Sequence, residues 1–142
     1  MYKLIIGSVL LVGWLAFSIA AVSVPDWQNQ KFTIIEKSDA VIVSMSVPHQ
    51  DTKDVKSVWL LIYYAEVSEA GTQALVGHIE INCTLQQIRW GTAYRLSPDA
   101  TVLGELAPHT PGWQKVAPDS PSGDLYEHVC GHKPLPTQEA GT

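Results

Sequence analysis

Between residues 25 and 106, apolar and polar positions alternate along most of the chain, and a period of two predicts successive strands joined by short turns. Residues 32–36 make a short first strand, followed by a polar turn at Lys37, Ser38 and Asp39. In residues 41–47, Val41, Val43, Met45 and Val47 face one way and Ser44 and Ser46 the other, and Pro48 closes the strand. Residues 49–56 mix charge signs at Asp51, Lys53, Asp54 and Lys56 and read as a loop. Residues 57–67 differ, because Trp59, Leu60, Leu61, Ile62, Tyr63 and Tyr64 are apolar on both faces, which places this strand in the middle of the sheet. A turn at residues 69–72 leads to a hairpin partner, residues 75–85, with Leu75, Ile79, Ile81, Cys83 and Leu85 on one face and His78, Glu80, Asn82 and Thr84 on the other. Residues 86–96 continue with Ile88, Trp90, Thr92, Tyr94 and Leu96 on one face and Gln87, Arg89, Gly91, Ala93 and Arg95 on the other. Ser97, Pro98 and Asp99 turn the chain into a last short strand, residues 101–106.

The period then changes. Pro108, Pro111, Pro118 and Pro121 exclude regular structure from 107 to 123, although Trp113 and Val116 give this crossing loop something to bury. Leu125, Tyr126, Val129 and Cys130 fall at helical spacing and form one stripe. Ser120 suits the N-cap, Pro121 the first helical position and Gly131 the C-terminal stop. Residues 133–142 have no apolar period and read as a disordered tail. The expected fold class is α+β: an antiparallel sheet of about six strands with one short C-terminal helix.

Lys3 precedes an uncharged run, residues 4–24, that ends in small residues before Pro25 and Asp26, the pattern of an export signal. Residues 1–23 are read as that signal. Cleavage after Ala20 would use Ser18 and Ala20, and cleavage after Ser23 would use Ala21 and Ser23. The alternative is an uncleaved anchor, since the run approaches spanning length. Gly7, Ser8, Gly13 and Ser18 dilute its hydrophobicity and no basic cluster follows, which favours cleavage. Residues 24–132 then form a single domain, with the periplasm, the outer-membrane surface or the medium as its expected location. Membrane contact would come only through the N-terminal segment.

Cys83 and Cys130 are the only two cysteines. In an exported chain two thiols are most simply a disulfide. Both lie on apolar faces, so the bridge would staple the helix to the core face of the sheet and stabilise the fold by about 4 kcal/mol on the chain-entropy model. The chain carries 9 Lys and Arg against 14 Asp and Glu, a net charge of −5. Loss of Lys3 with the signal would make it more negative, which argues against a nucleic-acid partner.

The strand ending in Ile81, Asn82 and Cys83, the strand containing Arg89 and Arg95, then Trp113, the run Val116, Ala117, Pro118, Asp119, Ser120, and finally Leu125, Tyr126, Val129 and Cys130 together resemble the bacterial surface-adhesin protein E family. The resemblance covers residues 58–130. It implies an antiparallel sheet with a C-terminal helix tied by a disulfide to its concave side, binding of host extracellular-matrix and plasma proteins, and association as a homodimer. Two departures accompany it. Lipid-anchored members carry a cysteine at the signal cleavage site, which this chain lacks, and the turn between the last strands is stretched here by residues 96–102.

Candidate chemistry is sparse. His128, Cys130 and His132 have a spacing that could hold a metal, but Gly131 ends the helix and Cys130 has a better use in the bridge. No Gly-x-Ser-x-Gly motif supports a serine hydrolase, and Cys83 beside His78 is inert once paired. Trp59, Tyr63, Trp90, Tyr94 and Trp113 could form a ligand platform, though aromatics in a chain this short more often build the core. Arg89 and Arg95 are expected on one strand face and, with Lys115, could make a basic patch; the plain alternative is ordinary surface charge pairing with Glu80 across the hairpin, worth under about 1 kcal/mol. The sequence therefore points to non-catalytic protein binding without metal or cofactor, with Arg89, Arg95, Trp113 and Lys115 as the candidate binding surface. The competing expectation is a soluble periplasmic protein that binds or inhibits a bacterial partner on the same scaffold.

Overall fold

A computed structural model describes residues 26–135. The expected signal segment, residues 1–23, and residues 136–142 of the expected tail lie outside the described residues. After a single 3-10 turn, Asp26–Asn29, the elements are β1 (Phe32–Lys37), β2 (Val41–Ser46), β3 (His49–Gln50), β4 (Val55–Tyr64), β5 (Ala74–Asn82), β6 (Gln87–Leu96), β7 (Val102–Leu106), β8 (Gln114–Lys115) and α1 (Pro121–Cys130). Six strands lie side by side as an antiparallel meander in the order β1-β2-β4-β5-β6-β7, while β3 pairs with β4 and β8 with β6. As expected, the doubly apolar β4 is an interior strand.

The two short strands fall where loops were expected. Ser46 ends β2, and its Oγ accepts the Trp59 backbone N–H at 2.8 Å. That side chain keeps Trp59 satisfied while Val47 and Pro48 leave the ladder, and His49–Gln50 rejoin it opposite Ser57 and Lys56. Near the helix, Gln114 and Lys115 pair with Ile88 and Gln87, and the Val116 N–H continues onto the Gln86 carbonyl at 2.9 Å. β4 stops at Tyr64, short of the expected residue 67, because the turn that follows is closed by Ser68: its N–H donates to the Thr72 carbonyl and its Oγ accepts the Thr72 N–H, both at 3.0 Å.

Each face of the sheet carries a core cluster. On one, Met45, Val58, Leu60, Ile79, Ile81 and Ile88 pack with Val116 and with Leu125, Tyr126 and Val129 of α1. On the other, Trp27 from the N-terminal turn packs with Ala74, Val76 and Leu96, joined by Phe32, Trp59, Leu61 and Tyr94. The indole Nε1 of Trp27 is buried without a hydrogen-bond partner among the described residues.

A bulge in β6 allows one strand to serve both cores. Gly77 faces Ala93 and Ile79 faces Trp90, so β6 carries one more residue than β5 between these pairs. Directly opposed residues share a face, and one extra residue inverts the alternation beyond it. Ile88 and Trp90 consequently lie on the helix side and Tyr94 and Leu96 on the Trp27 side, which corrects the single face expected for residues 88–96. Gly91 sits in the bulge, where a Cβ would come within 2.9 Å of the His78 carbonyl oxygen. Only glycine permits that approach without a backbone shift.

The helix forms where its end signals predict. Ser120 Oγ accepts the Gly123 N–H at 3.1 Å, Pro121 occupies the first turn, and Gly131 at φ 78° closes the last turn by donating to the Glu127 carbonyl at 2.8 Å. Leu125, Tyr126 and Val129 are buried, each contributing about 1.5–3 kcal/mol of hydrophobic stabilisation. One covalent bond and two hydrogen bonds fix the helix over the sheet. Cys130 is bonded to Cys83 across a Cα separation of 5.6 Å, the Tyr126 hydroxyl donates to the Cys83 carbonyl at 2.7 Å, and Lys56 Nζ donates to the Val129 carbonyl at 3.3 Å. The ordered chain also runs past residue 132: Pro134 is buried and the Leu135 N–H donates to Gln86 Oε1 at 3.1 Å, so the start of the expected tail is packed.

Candidate functional site

The four expected binding residues do not form one surface. Arg89 lies opposite Glu80 and pairs with it at 2.6 Å, and its guanidinium stacks 4.6 Å above the ring of Trp113. Lys115 faces Gln87, which puts it on the same side of β6 as Arg89. Arg95 is beyond the bulge and points to the helix side, where it lies against Gly104 and donates to Thr72 Oγ1 at 3.2 Å. Arg89, Trp113 and Lys115 are thus brought together and Arg95 is separated from them. The expected sharing of one face by the two arginines is corrected by the bulge. Of the two arginines, Arg89 is the one that pairs with Glu80, and its stack on Trp113 fastens the proline-rich crossing loop to the sheet.

The histidines are similarly committed. His49 Nδ1 lies 2.7 Å from Asp51 Oδ1, and Ser57 Oγ donates to the same oxygen at 3.1 Å. Partial burial pushes the Asp51 carboxyl upward, but the hydrogen bonds from His49 and Ser57, with the charges of His49 and His78, outweigh it and hold the group below its ordinary range. A serine, a histidine and an acid therefore meet, but with the acid in the middle. The Ser57 hydroxyl donates to carboxylate and not to imidazole, which is the wrong order for nucleophile activation by a histidine base. His132 Nε2 is 2.8 Å from the Tyr126 hydroxyl. The other ring nitrogen, Nδ1, donates to the Cys130 carbonyl at 3.1 Å, so the imidazole bridges the end of the helix and the Tyr126 hydroxyl. Burial raises the pKa of the Tyr126 phenol. The His128, Cys130 and His132 spacing does not converge: Cys130 is in the bridge, His132 turns back to Tyr126 and His128 faces a groove. No group of three metal-ligating side chains occurs among the described residues.

That groove is the feature missed from the sequence. α1 covers only part of its face of the sheet, and beside it remains a hollow of about 420 Å³ floored by Ile35, Val43, Leu60 and Ile62 and walled by Leu125 and Trp90. Glu36 from β1 and Asp124, Glu127 and His128 from α1 stand around it. Trp90, 37 % exposed, is also the wall of a second hollow of about 330 Å³ between Ala93, Leu106 and Pro108. The signal for this arrangement was Gly91: a glycine inside an alternating strand marks a bulge, and the bulge turns Trp90 to the helix side.

No family model, curated protein or solved structure matches this chain. Among the described residues no helix is long and apolar enough to cross a membrane.

Proposed function

We propose that this chain is an exported, non-catalytic binding protein of the surface-adhesin protein E type, acting by contact with host extracellular-matrix or plasma proteins. The observation that carries this reading is the Cys83–Cys130 bond, which ties the helix to the sheet in the arrangement that the resemblance over residues 58–130 implies. A bond of this kind persists in oxidising compartments, in keeping with an export signal. The described polar clusters also favour binding over catalysis, since Ser57, Asp51 and His49 satisfy one another, as do Arg89 and Glu80. What remains open to a partner is apolar and acidic surface beside α1 and basic surface at Lys115. The reading is tested by protease accessibility on intact cells together with a panel of immobilised matrix proteins such as vitronectin and laminin. Surface exposure with saturable binding is the expected result. A location confined to the periplasm and no matrix binding at micromolar concentration would replace it with the periplasmic partner-binding reading.

A further inference from the structure

We propose that the hollow beside α1 is the docking site for an extended segment of a partner protein that alternates basic and apolar side chains. The proposal names a site within the binding protein read above and does not depend on that protein's partner being a matrix protein. Its basis is the coincidence of two properties around Trp90. The floor and walls are apolar: Ile62 is partly exposed, the Trp90 indole is exposed, and the buried Leu125 backs the wall between them and the helix core. The rim is acidic: Glu36 comes from β1 and Asp124 and Glu127 from α1, and none of them is in an ion pair among the described residues. No lysine or arginine lines either hollow. Such a trough is complementary to a cation carried on an apolar stem, and the exposed indole adds a ring face that attracts the same charge.

The shape favours a polypeptide over a compact molecule. Two hollows, about 420 and 330 Å³, share Trp90 in their lining, so successive side chains of an extended segment would seat in both beside one indole. The C-terminal residues of this chain do not have the chemistry of such a segment. Residues 136–142 contain one glutamate and no lysine or arginine, the wrong charge for an acidic rim.

The test uses the mature chain and three synthetic hexapeptides: one alternating Lys with Leu and Phe, one with Glu in place of Lys, and one with Ser in place of Leu and Phe. Binding is followed by amide and indole chemical shifts, which also locate it. The Lys-Leu-Phe peptide is expected to bind at least about tenfold more tightly than either counterpart, to weaken about fivefold or more on raising salt to about 500 mM, and to perturb Trp90, Ile62 and Leu125. The triple variant Glu36→Gln, Asp124→Asn, Glu127→Gln should lose the preference for Lys over Glu while keeping its melting temperature, and Trp90→Ser should weaken both hollows. Equal binding of the Glu peptide, shifts confined to the Arg89 face, or no binding at about 1 mM would overturn the proposal. So would concentration-dependent self-association abolished by Trp90→Ser, which would make a second copy the occupant. If wild type binds matrix proteins yet shows no preference for the Lys-Leu-Phe peptide, the docking site falls and the binding reading stands. If wild type binds neither matrix proteins nor peptide, both fall.

Discussion

Replacing Cys130 with serine separates the contribution of the bridge from that of the helix it holds. The bond closes a loop with a sequence separation of 47, and the chain-entropy relation gives about 4 kcal/mol for a loop of that size at 25 °C. Serine itself adds little, because both cysteines are only partly buried and a hydroxyl at position 130 reaches water. The helix should nevertheless stay docked. Leu125, Tyr126 and Val129 are at most 5 % exposed, and the Tyr126 hydroxyl still reaches the carbonyl of residue 83. At about 4 °C per kcal/mol for a domain of this size, the melting temperature should fall on the order of 15 °C with the native far-ultraviolet spectrum intact. Thermal unfolding by circular dichroism, run with and without reductant, provides an internal check. Reduced wild type and Cys130→Ser should melt together, well below oxidised wild type. A shift under about 4 °C would mean that the bridge does not restrain the unfolded chain. Loss of helical signal at low temperature would refute the claim that packing and the Tyr126 bond hold the helix independently.

Gly91→Ala should destabilise by about 1–3 kcal/mol in chemical denaturation, because its Cβ would sit 2.9 Å from a backbone oxygen that cannot swing aside; a neutral result would refute the bulge. Arg89→Ala should cost about 1 kcal/mol, combining a partly exposed ion pair with the stack on Trp113, and should raise hydrogen exchange across residues 107–118. For that reason it is not a neutral probe of binding. Asp51 has a lowered carboxyl pKa, so its contribution is present above the unfolded carboxylate value and is lost as pH falls through the lower folded value. Melting temperatures measured below pH of about 4 should therefore fall more steeply for wild type than for Asp51→Asn, and parallel curves would show that His49 and Ser57 do not stabilise the charged form.

The strands and the helix were legible because their signals are local. Alternation fixed β2 and β5, the doubly apolar run fixed β4, and Ser120, Pro121 and Gly131 marked both ends of α1 within the chain that forms it. The pairing of Cys83 with Cys130 followed from there being only two thiols. What escaped depended on relations between strands. The alternation of β6 was read as unbroken, yet its phase is set by β5, where Gly77 and Ile79 take Ala93 and Trp90 as partners. That error carried Arg95 to the wrong face and hid the hollow beside Trp90. The second core was missed for a related reason: Ala74, Val76 and Leu96 are scattered in sequence, and only the arrival of Trp27 makes them a cluster. His49–Gln50 and Gln114–Lys115 carry no apolar period, and they are strands only because β4 and β6 offer them free backbone groups.

The bulge at Gly91 gives β6 a thermodynamic consequence beyond its shape. Ile88 and Leu96 belong to one strand but to different cores, so no packed side chain is shared between them. Truncations at these two sites should add, as for distant residues, whereas Ile88 and Val129, far apart in sequence, lie in one cluster and should show an interaction energy. Covalent continuity along β6 is therefore a poor guide to energetic coupling in this protein. A change to the surface beside α1 leaves the packing around Trp27 alone, and each face of the sheet is free to vary without the other.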